Sequence, residues 1–175
     1  MKRFLIGLLV AICFVVAIYK FTAPKKVVVT GMIPYRTEQE LIVKSDLIIT
    51  GKVERIGKSK WSNPELKPAE KRNVLQTDIY VMIGELLYGE YSKEYVAVRI
   101  DDGGHLEFKS GEEVVLFLSR DDSDVATDED YFVLTGMRQG KWNIADERIT
   151  SADYGTKEIS QTLDELKEKI IKNTK

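Results

Sequence analysis

Between residues 47 and 144 the apolar side chains recur at every second position, in short runs separated by turn residues. Period two is the signature of a strand with one buried face. Leu47, Ile49, Gly51 and Val53 share one face of the run Leu47–Ile56. In Val74–Leu87 one face carries Leu75, Thr77, Ile79, Val81 and Ile83, and the other carries Gln76, Asp78, Tyr80 and Met82. A third run, Glu94–Ile100, points Val96, Val98 and Ile100 one way. The fourth, Glu113–Ser119, is apolar without interruption at Val114, Val115, Leu116, Phe117 and Leu118, as expected of a strand covered on both faces. Tyr131–Gly136 and Lys141–Ile144 read as a fifth and a sixth strand, joined by Met137-Arg138-Gln139-Gly140. Short strands in this succession predict a barrel or a sandwich. Gly51 inside the first strand predicts a bend or bulge of the kind that lets a small barrel close.

Helical signals flank the strands. Thr37 and Glu40 have the spacing of a capping box, which starts a short helix over Glu38–Lys44. So short a helix holds only if Leu41, Ile42 and Val43 pack on the sheet. Ser45-Asp46 makes the corner into the first strand. At the other end Ser160–Lys172 reads as an amphipathic helix. Thr162 and Glu165 form its capping box, and Leu163, Leu166, Ile170 and Ile159 line one side.

The first residues have a different solvent in view. Phe4–Tyr19 is sixteen residues without a charge, between Lys2-Arg3 and Lys20. As a helix it would reach roughly 24 Å, enough to span a bilayer if the flanking cations snorkel. A cleaved signal peptide would have only Val15-Val16-Ala17 as a cutting site, and lipidation of Cys13 would follow the bulky Ile12. An uncleaved anchor needs neither feature. The expectation is a single-pass membrane protein whose C-terminal domain lies outside the cytoplasm. The chain then divides into an anchor or signal segment (1–24), a connector (25–36), a barrel (37–150) and a C-terminal helix (151–175). Cys13 is the one cysteine, so the domain has no internal disulfide. Residues 27–175 carry 21 basic against 28 acidic side chains, a net charge of −7, which disfavours nucleic acid as a partner.

Four stretches resemble the small OB-like barrels of the netrin-module and tissue-inhibitor-of-metalloproteinase superfamily, in particular its bacterial envelope members. They are Ser45-Asp46-Leu47-Ile48-Ile49-Thr50-Gly51-Lys52-Val53 after a short helix, Ile83 through Leu87-Tyr88-Gly89, Ser110-Gly111-Glu112-Glu113-Val114-Val115-Leu116-Phe117-Leu118, and Gln139-Gly140-Lys141-Trp142. The resemblance covers about residues 37–145. It implies a five- to six-stranded OB-like Greek-key barrel, mainly β, with an extracellular binding role. The inhibitors of that superfamily chelate protease zinc through an N-terminal cysteine. The domain here has no cysteine, so that mechanism does not carry over.

Candidate chemistry is sparse. His105, beside Gly103-Gly104, is the only histidine, whereas a zinc site needs three or four ligands. Ser110 and Asp101 or Asp102 lie near His105 in sequence, but without nucleophile-elbow spacing. Six carboxylates fall between Asp121 and Asp130, without the spacing or the central glycine of an EF-hand. A solvated loop that keeps strands from aggregating explains them as well as calcium does. Residues 52–72 carry seven basic and three acidic side chains. Within them Lys58, Lys60 and Trp61 form a candidate contact surface for a partner, against a reading in which Trp61 folds over the barrel end. Trp142 is expected to cap the barrel core. The residues therefore favour a non-catalytic binding domain without a cofactor, tethered to the membrane and facing a protein or envelope polymer. The alternative is an envelope hydrolase using His105 or a carboxylate pair.

Overall fold

A computed structural model describes residues 35–63, 65, 73–101, 108–121, 130–151 and 159–174. The apolar N-terminal run, the connector up to residue 34, His105 and all of the acidic loop except Asp121 and Asp130 lie outside these residues. Among the described residues no helix is long and apolar enough to cross a membrane. The elements are α1 (Glu38–Lys44), β1 (Leu47–Ile56), β2 (Lys60–Trp61), β3 (Leu75–Tyr88), β4 (Tyr95–Asp101), β5 (Glu113–Arg120), β6 (Phe132–Leu134), a 3-10 turn (Met137–Gly140), β7 (Lys141–Ala145), β8 (Arg148–Ser151), β9 (Ser160–Thr162) and α2 (Leu163–Asn173).

Five of these strands close on themselves. β1 pairs with β3 and with β5, β3 with β4, β4 with β6, and β6 with β5. The β4–β6 pair is parallel and the others are antiparallel. Alternation places Leu47, Ile49, Val53, Ile79, Val81, Val96, Val98, Val114, Leu116 and Leu118 inside, with Phe132 and Leu134 from β6. Gly51 belongs to this inner row. The β1–β3 register shifts between Thr50 and Gly51, which is the irregularity its position predicts.

A second core lies outside the barrel. Val115 and Phe117 of β5 and Ile48 of β1 point outward and pack with Leu41, Ile42, Trp142, Ile149, Leu166 and Ile170. β7 pairs with the first half of β5 and leads through β8 to β9, which runs directly into α2. This arrangement accounts for the uninterrupted apolar run of β5: one side of the strand lines the barrel and the other lies under the helices. Both capping boxes form as the spacing predicts, Thr37 with Glu40 and Thr162 with Glu165. Burial of Leu41 and Ile42, worth about 1.5–3 kcal/mol each, supplies what seven helical residues lack alone. A hydroxyl cluster seals the junction of α1 with the barrel. Thr135 Oγ1 lies 2.9 Å from Ser45 Oγ and 2.6 Å from Ser119 Oγ, and both serines donate to carbonyls of α1.

Three expectations change. Val43 stays 60% exposed, because its direction on α1 is turned away from Leu41 and Ile42. Trp142 does not cap the barrel: it is 1% exposed in the second core, its ring 5.1 Å from that of Phe117 and its Nε1 donating to Gln139 O. The expected fifth strand shortens to Phe132–Leu134, because Thr135 and Gly136 turn away into the 3-10 turn. β2, β8 and β9 are additional.

Candidate functional site

The barrel exterior is unequally covered. Both described helices lie over the β1–β5 side, through the second core. In the ring β1-β3-β4-β6-β5 the position across from β5 belongs to β3 and β4. Their outward side chains form cross-strand pairs, Gln76 with Asp101, Asp78 with Arg99, Tyr80 with Ala97 and Met82 with Tyr95. Tyr95 is 46% exposed and Met82 38%. The guanidinium of Arg55, from the end of β1, sits 3.8 Å over the ring of Tyr80. Lys52 of β1 pairs with Met82 and is exposed. The result is an apolar and aromatic stripe bordered by cations. Such a surface stacks on flat or apolar groups and attracts negative charge.

A near-buried ionic group forms the floor at one end of the stripe. Arg99 donates to both oxygens of Asp78, Nε at 2.7 Å and Nη2 at 3.1 Å, with its side chain only 3% exposed. Lys60 Nζ adds a third contact to Asp78 at 3.2 Å. On its far side Arg99 lies 3.8 Å over the Tyr131 ring, whose hydroxyl donates to Asp121 at 2.6 Å. Burial pushes the Asp78 carboxyl up, but the hydrogen bonds from Arg99 and Lys60 outweigh it and hold it below its ordinary value. At the other end Tyr91 donates to Tyr95 O and meets Phe132 edge to face, while Lys93 pairs with Asp130. Burial, and next the Asp130 carboxylate, push the Tyr91 hydroxyl above its ordinary value. These contacts fix the backbone on which Tyr80, Met82 and Tyr95 are displayed.

Of the residues singled out by sequence, Lys60 joins this face through Asp78. Trp61 does not. It pairs with Leu75, the neighbour of Lys60's partner Gln76, so the register puts it on the opposite side of the sheet, half-buried. Lys58 is exposed on the link between β1 and β2. Sequence reasoning missed Arg55, Tyr80, Met82 and Tyr95. The available signal was an aromatic and a methionine on the polar face of β3. Asp121 and Asp130, the described members of the acidic run, are each engaged within the chain. Among the described residues no group of three or more potential metal ligands occurs. No protein-family model and no curated protein matches this chain.

Proposed function

We propose that this is a membrane-anchored, extracytoplasmic binding domain, non-catalytic, whose OB-like barrel offers the outer face of β3 and β4 to a protein or envelope-polymer partner. The observation that carries the reading is the exposure of Met82 and Tyr95 beside the Arg55–Tyr80 stack, on the side across from the helices. Strand order supports the OB-like assignment. Numbered among themselves, the five closing strands run 1-2-3-5-4, with the third and fifth parallel. In OB barrels the face of the second and third strands takes linear polymers, and here those strands are β3 and β4. The netrin-module resemblance implies the same kind of role. The −7 charge of residues 27–175 turns the reading away from nucleic acid. Phe4–Tyr19 supplies the anchor and Lys20 marks its boundary.

The test is capture of envelope components by the full chain in detergent, compared with a Tyr80→Ala/Tyr95→Ala variant. Both side chains point outward, so the variant should keep its circular dichroism and lose the partner. Retention of the same partner by the variant overturns the assigned face. A reporter fused after residue 175 checks sidedness, and activity only on the cytoplasmic side sinks the localisation.

A further inference from the structure

We draw no further inference here: the strongest candidate, the apolar surface patch that Ile56 of β1 and the β2–β3 pair Trp61 and Leu75 leave incompletely covered, carries nothing because nothing in the structure shows what covers it.

Discussion

Replacing Gly51 by alanine should destabilise the barrel more than its single methyl would imply. Gly51 lies in the inner row of β1, between Ile83 of β3 and Val114 of β5, so the strand is held on both edges. A Cβ there would sit 2.6 Å from Met82 O and 2.6 Å from Val81 Cγ1, where ordinary contact begins at 3.4 Å. The carbonyl is main chain and cannot rotate aside. Relief requires β1 and β3 to part, at the expense of their hydrogen bonds. Overpacking of this kind costs about 1–3 kcal/mol. Lost backbone freedom in the unfolded chain returns about 0.4–1 kcal/mol. With a backbone clash on a doubly held strand the upper part of the range applies, for a net loss of about 2 kcal/mol. At about 2–4 °C per kcal/mol for a chain of this size, the melting temperature falls by roughly 4–8 °C. The assay is thermal unfolding followed by circular dichroism, with Gly84→Ala alongside. Gly84 also faces β1, but its Cβ would come closest to the Thr50 hydroxyl, at 3.2 Å, with main-chain atoms no nearer than 3.7 Å, so its change should stay within about 0.5 kcal/mol. A Gly51→Ala variant as stable as the parent, or a Gly84→Ala variant that is the worse of the two, refutes the close approach of β1 to β3.

Asp78→Asn removes charge from the contacts with Arg99 and Lys60 and should cost about 1.5–3 kcal/mol at neutral pH, measured by urea unfolding. The Asp78 carboxyl titrates in the folded state below its ordinary 3.8, so its stabilisation is present above that value and is lost as pH falls through the folded value; the variant should show a flatter acid limb. Glu147→Gly should stabilise, because Asp146 and Glu147 form a two-residue hairpin turn with φ of 49° and 65°; relief of about 1 kcal/mol would raise the melting temperature by roughly 2–4 °C.

What was legible in the sequence was local or periodic. Thr37 with Glu40 and Thr162 with Glu165 are read within one helical turn, and both boxes form. The double-sided apolarity of Val114 to Leu118 announced a strand between two layers. Alternation says which side chains share a face; it does not say what covers that face. Trp142 therefore sits in the second core although its position suggests the barrel, since nothing in Lys141–Ala145 reveals that β7 leaves the barrel. The β7–β8 hairpin was missed because Asp146-Glu147 lacks the glycine or asparagine that marks such turns. β9 is three polar residues read as the start of a helix. The Asp78–Arg99 pair depends on the register between β3 and β4, which is fixed by the whole ring.

The division of the barrel wall follows from β5. This strand gives Val114, Leu116 and Leu118 to the interior and Val115 and Phe117 to the helices. Its two faces are thus both spent on cohesion, and barrel and helices share one strand as their common wall. Ser45, Thr135 and Ser119 tie α1 to that wall with hydroxyl contacts. A partner bound on this side would have to displace packed apolar surface. Across the ring, Tyr80, Met82 and Tyr95 belong to neither core, although Leu87 at the end of β3 packs on the second one, so these three can differ without loss of core packing. The ionic floor of Asp78 and Arg99 holds the two strands in register beneath them. A ligand at the proposed face would meet a surface already formed, and what it gained by contact would not be spent on ordering the barrel.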